Sequence, residues 1–166
     1  MSDGESALDR ERLQRLQARL QRTLRLLVAD DDEGCRTSLV DFFGQIGFEV
    51  LCAQDGREAL TILRRSGADL SVMDINMPGM TGIEVLNHVR TEGMLLPCIF
   101  VSAEKSLEIR KQAFSAGADS FIDKPVDVEL LLRSLTLCLH RSYPENPHPD
   151  AHPPKRDPHR PPESSP

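Results

Sequence analysis

The 166-residue chain has no tryptophan and a single tyrosine, Tyr143, so its body carries no strong intrinsic fluorophore. No stretch approaches the ~18 consecutive apolar residues that a membrane-crossing helix needs. None of the four cysteines (Cys35, Cys52, Cys98, Cys138) forms a C-x-x-C pair, and no leader-like apolar run precedes them. Three of them sit in apolar stretches, where a free thiol behaves as a small hydrophobe. A reducing, cytoplasmic setting is the expectation. Proline is scarce through most of the chain: only Pro78, Pro97 and Pro125 precede residue 144. The other nine crowd between Pro144 and Pro166, so residues 143–166 are expected to form a disordered or extended Pro/His-rich tail. The histidines of that tail (His148, His152, His159) are poorly spaced for a metal site, and a linker or partner peptide suits the composition better. Positive charge is also short. The net charge is −6, and the six arginines of the first 25 residues leave the body more acidic still. Nucleic acid is therefore an unlikely partner, and a membrane surface is not expected.

What is present is a repeating pattern. Residues 7–22 lack glycine and proline, with Leu13, Leu16 and Leu20 at helical spacing and Glu11 four residues before Arg15. This predicts a helical extension over 1–23, either packed on its own domain or pairing two chains through residues 8–22. Over 24–142, short apolar runs alternate with amphipathic ones. Strands are predicted at Leu24–Ala29, Phe48–Ala53, Asp69–Asp74, Pro97–Ser102 and Asp119–Asp123. Helices are predicted at Glu33–Gln45, Asp55–Arg65, Gly82–Thr91, Glu104–Ala116 and Asp127–Arg141. Asp32, Asp55 and Asp127 stand where N-caps belong, and Gly47, Gly67 and Gly117 where helices stop. The fold class is α/β: a flavodoxin-like, doubly wound, five-stranded parallel sheet, order 2-1-3-4-5, with five helices plus the N-terminal extension.

In such a sheet the functional groups gather beyond the carboxyl ends of the strands. Strand one ends in Asp30-Asp31, strand three in Asp74, strand four in Ser102-Ala103 and strand five in Lys124-Pro125. Two carboxylates ~4 Å apart repel by roughly 4 kcal/mol at an effective dielectric near 20. A hard divalent cation removes that conflict, and oxygen-only ligands favour Mg²⁺. A carboxylate can attack phosphorus, and a metal and a lysine can neutralise the phosphoryl oxygens.

Four pieces, LLVADDDEGCR, DLSVMDINMPGMTG, PCIFVSAE and GADSFIDKP, resemble response-regulator receiver domains of two-component signalling over residues 24–141. The single-domain, chemotaxis-regulator-like type is the nearest pattern. The resemblance implies that Asp74 is the phosphoacceptor. Asp31, Asp74 and the backbone carbonyl of Asn76 would hold Mg²⁺, with Asp30 helping through water. Ser102, the Ala103 N–H and Lys124 would bind the phosphoryl group. Ser102 and Phe121 would switch, and Asn76 and Glu104 would tune self-hydrolysis. The donor would be a sensor histidine kinase or a histidine phosphotransfer protein, and the output a downstream protein target. The chain would not be an enzyme beyond Mg²⁺-dependent self-phosphorylation and slow self-dephosphorylation. The residues after Arg141 are too few for an output domain, so none is expected. Glu33, where proline is common, and Ser102, where threonine is common, are minor departures. Two other readings are weighed. A phosphatase-like hydrolase would carry a second acid two residues after the nucleophile, where this chain has Asn76. A phosphorylation-independent docking module would not need the acids, Ser102 and Lys124.

Overall fold

The computed structural model describes residues 2–145, and the expected tail over 146–166 lies outside the described residues. Its elements are α1 (Ser2–Leu20), β1 (Arg25–Ala29), α2 (Glu33–Ile46), β2 (Glu49–Ala53), α3 (Gly56–Ser66) and β3 (Leu70–Met73). They continue as α4 (Gly82–Thr91), β4 (Cys98–Ser102), α5 (Leu107–Ser115), β5 (Ser120–Asp123) and α6 (Val128–Ser142). The five strands form one parallel sheet in the order β2-β1-β3-β4-β5, as the alternation of apolar runs predicts.

The sheet is buried on both faces, which is why β1, β3 and β4 read as continuous apolar runs. On one face, Leu26, Val28, Val72 and Val101 pack with Phe43 of α2 and Leu131, Leu135 and Leu139 of α6. On the other, Leu27, Met73 and Phe100 pack with Leu63 of α3, Val85 of α4 and Ala113 of α5. The first face also takes in α1. Leu13 and Leu16 are buried, and they belong to the same apolar cluster as α6, with Leu20 packed at its border. Glu5 and Arg133 pair across the two helices, and Arg19 donates to the Tyr143 carbonyl. The leucine stripe of Leu13, Leu16 and Leu20 therefore packs on its own domain, the first of the two arrangements expected for this helix.

The helix starts follow their caps. Asp32, Asp55, Thr81, Ser106 and Asp127 each accept a backbone N–H from the first turn of the following helix. At Thr81 the bond is reciprocated by Glu84, a capping box. Helix α5 begins at Leu107 rather than at the expected Glu104, because Ser106 takes the cap position and the Glu104 carboxylate accepts its N–H at 3.1 Å. Tyr143, expected to start the tail, is anchored instead. Its hydroxyl donates to the buried Asp69 at 2.7 Å, and Arg22 donates to both oxygens of that carboxylate. Burial first, and then Asp69, push the Tyr143 phenol up to about 12. No described helix is long and apolar enough to cross a membrane.

Candidate functional site

The register of the sheet assembles the site. Ala29 pairs with Met73, so the residues that follow, Asp30 and Asp74, leave neighbouring strands side by side. The Asp74 N–H donates to the Ala29 carbonyl at 2.8 Å, fixing that placement. Across the sheet, Ser102 pairs with Asp123, and the Lys124 N–H donates to the Ser102 carbonyl at 2.9 Å. The Lys124–Pro125 bond is cis. Two glycine positions permit the close approach. A Cβ on Gly82 would meet the Asp74 carbonyl oxygen at 2.3 Å and the Phe100 ring at 2.8 Å, and one on Gly56 would meet the Met80 carbonyl oxygen at 2.1 Å.

The side chains then converge. Asp30, Asp31 and Asp74 each bring a carboxylate oxygen within 4.8 Å of the others. Asp30 and Asp74 are buried and Asp31 is exposed. The Lys124 ammonium lies between the two buried acids, donating to Asp30 Oδ2 at 2.7 Å and Asp74 Oδ2 at 3.0 Å. Burial opposes its charge, but the bonds to Asp30 and Asp74 outweigh burial and hold its pKa above the ordinary lysine value. The other Asp74 oxygen accepts the Asn76 N–H at 3.3 Å, and the Asn76 side chain is exposed. Ser102 is fully buried at the end of β4, its hydroxyl oxygen accepting the Glu104 N–H at 3.2 Å, with Ala103 exposed beside it. Asp32, the third acid of the run, caps α2 by accepting from the Cys35 N–H, which lowers its pKa. Arg36 donates to the Asp30 carbonyl at 2.7 Å and so ties α2 to the floor of the site.

Every sequence-predicted site residue lies at this edge of the sheet except Phe121. That ring sits within β5, buried in the α3/α4/α5 core and covered by Arg110. Gly82 ends the DLSVMDINMPGMTG piece, yet its packing role is invisible until the Asp74 backbone is placed beside it. Arg36 and Arg110 carry no sequence signal, since each acts through a tertiary contact.

The family model for the response regulator receiver domain matches residues 26–136. The chain belongs to that family. Among curated relatives, Response regulator MprA of Mycolicibacterium vanbaalenii is 37% identical over 123 residues, covering 74% of this chain and 53% of the relative. Response regulator MprA of Mycobacterium avium is 37% identical over 123 residues, covering 74% and 54%. The chain thus spans about half the length of the curated relatives it matches. Among solved structures, the chemotaxis protein CheY4 of Vibrio cholerae superposes with a TM-score of 0.66 at 32% identity, covering 70% of this chain and 99% of that one. The CheX–CheY–BeF3–Mg complex from Borrelia burgdorferi superposes at 0.64 and 28% identity, covering 69% and 87%. The receiver's oxygen-only donor set, with two of its three acids buried, suits a hard divalent cation such as Mg²⁺.

Proposed function

We propose that this receiver accepts a phosphoryl group on Asp74, with Mg²⁺ held by Asp31, Asp74 and the Asn76 carbonyl and assisted by Asp30. The observation that carries the reading is the placement of Lys124, which bridges Asp30 and Asp74 where three carboxylates meet. When bound, Mg²⁺ supplies positive charge for the phosphoryl oxygens. An Asp74 carboxylate oxygen attacks the phosphorus of a phosphohistidine on a sensor kinase or phosphotransfer protein. The P–N bond breaks as the P–O bond forms, and the imidazole leaves with its electron pair and takes up a proton. Lys124, already charged and 3.0 Å from Asp74, faces one phosphoryl oxygen, while the Ser102 hydroxyl and the Ala103 N–H face another.

The output is a change in protein–protein affinity or onward transfer of the phosphoryl group, because a local change of charge biases a two-state element made of Ser102 and Phe121. No other enzymatic activity is proposed. The phosphatase-like alternative lacks its second acid, since Asn76 stands there. Asn76 is exposed and Glu104 is partly exposed, so water reaches the acyl phosphate and the modified form is short-lived. A phospho-form unchanged after many hours at pH 7 overturns that last point.

The test is intact mass after incubation with acetyl phosphate. The wild-type chain gains one phosphoryl group with Mg²⁺ and none with EDTA, and Asp74→Asn gains none. An adduct that persists in Asp74→Asn removes Asp74 as the acceptor.

A further inference from the structure

The turn between β1 and α2 carries Asp30, Asp31 and Asp32, and its backbone is pinned at Asp30 from three sides. The Asp30 N–H donates to the Ala53 carbonyl at 3.2 Å, and the Asp32 N–H donates to Asp30 Oδ1 at 2.9 Å. The third bond comes from further along the chain. The Arg36 guanidinium reaches back from the first turn of α2 and donates to the Asp30 carbonyl at 2.7 Å. Arg36 is itself fixed, its N–H donating to the Asp32 carbonyl at 3.0 Å. The carbonyl that the guanidinium grips belongs to the planar peptide unit joining Asp30 to Asp31, which sets where the Asp31 side chain leaves the backbone. Asp31 is exposed and makes none of these bonds, so its place depends on the turn that carries it.

Arg36 acts on a cation at Asp31 in two ways of opposite sign. Its positive charge beside the acids repels Mg²⁺. Its bond holds the peptide that presents Asp31, and groups placed behind a metal ligand are worth roughly 10–100-fold in metal affinity. Arg36 is partly exposed, so solvent and salt screen its charge, whereas its bond to the carbonyl is short and charge-assisted. Positioning therefore outweighs repulsion.

We propose that Arg36 is a positioning residue for the Mg²⁺ site: by holding the Asp30–Asp31 peptide it presents Asp31 to the cation, and so raises Mg²⁺ affinity although it carries a positive charge. This rests on the reading of Asp31 as a direct Mg²⁺ ligand. Arg36→Lys keeps the charge but shortens the reach and donates from a single nitrogen, so part of the hold is lost. Arg36→Gln loses both charge and reach.

The test is a Mg²⁺ titration of the full-length, ¹⁵N-labelled chain, followed by NMR through the backbone N–H signals of Asp31 and Asn76. Wild type, Arg36→Lys, Arg36→Gln and Asp31→Asn are compared, with urea unfolding of each in EDTA alongside. Arg36→Gln is expected to weaken Mg²⁺ binding about tenfold, and Arg36→Lys to fall between it and wild type. NMR reads only the folded chain, so a merely structural role would lower stability in EDTA and leave the affinity unchanged. Binding by Arg36→Gln as tight as wild type overturns the proposal, and tighter binding overturns it by showing that repulsion wins. Should Arg36→Gln not fold, Arg36→Lys decides, and an affinity equal to wild type overturns the proposal. The ligand reading is judged separately by Asp31→Asn. Undiminished Mg²⁺ binding there removes Asp31 as a ligand and the proposal with it, whereas binding lost in Asp31→Asn but kept in Arg36→Gln removes the role of Arg36 alone.

Discussion

Lys124→Met is expected to lower the unfolding free energy by about 3–5 kcal/mol in EDTA, the usual cost of removing one partner from a buried ion pair. Methionine keeps the length of the lysine stem and removes the charge. Asp30 and Asp74, at 3% and 9% side-chain exposure, then face each other without a cation, and Asp31 adds a third negative charge at the rim. Two carboxylates ~4 Å apart repel by about 4 kcal/mol at an effective dielectric near 20, so the repulsion alone reaches the expected range. Mg²⁺ reverses the defect, and the stabilisation it brings is larger in the variant than in wild type, because no ammonium competes for the same oxygens. Urea unfolding of both proteins in EDTA and in Mg²⁺ measures all four values. A variant as stable as wild type in EDTA, or an equal Mg²⁺ increment in the two, contradicts the electrostatic account of the site.

Leu13→Ala in α1 is expected to cost about 2–5 kcal/mol, as for a leucine deleted from a closed core. The helix lies outside the matched receiver region, which begins at residue 26, yet Leu13 is fully buried and Leu16 nearly so. Both touch the cluster that holds Phe43, Leu131, Leu135 and Leu139. Leu8, on the same helix but 49% exposed, supplies the internal control, and Leu8→Ala is expected to change little. Urea unfolding of the three variants Leu13→Ala, Leu16→Ala and Leu8→Ala decides the matter. If Leu13→Ala unfolds like Leu8→Ala, α1 does not share the receiver's core.

The acid site was legible in the sequence because strand ends are legible. An apolar run that stops at Asp30-Asp31, at Asp74 or at Lys124 marks both the end of a parallel strand and the edge where side chains meet. Helix starts were legible to the extent that capping is local. Asp32, Asp55 and Asp127 act where their spacing places them, whereas Ser106 competes with Glu104 for the start of α5, and only the folded backbone decides between them. Partner choice was not legible. The stripe of Leu13, Leu16 and Leu20 says that one helix face is apolar, not whether another chain or α6 covers it. Asp69 reads as the first residue of a strand, but in the fold it binds Arg22, the Arg25 N–H and Tyr143, groups 44 to 74 residues away. Arg110 over Phe121 is hidden for the same reason, since its contact depends on how α5 settles against β5.

In the proposed reading one atom group, the Asp74 carboxylate, carries the phosphoryl group. An acyl phosphate is reduced by borohydride to an alcohol, which turns a phosphorylated aspartate into homoserine and leaves free carboxylates untouched. Peptide mass spectrometry of the wild-type protein, treated with acetyl phosphate and Mg²⁺ and then with borohydride, reads the position directly. Homoserine is expected at position 74 alone, and none when EDTA replaces Mg²⁺. Homoserine at position 30 or 31, or a phosphoryl adduct in the intact protein that yields none at 74, contradicts it.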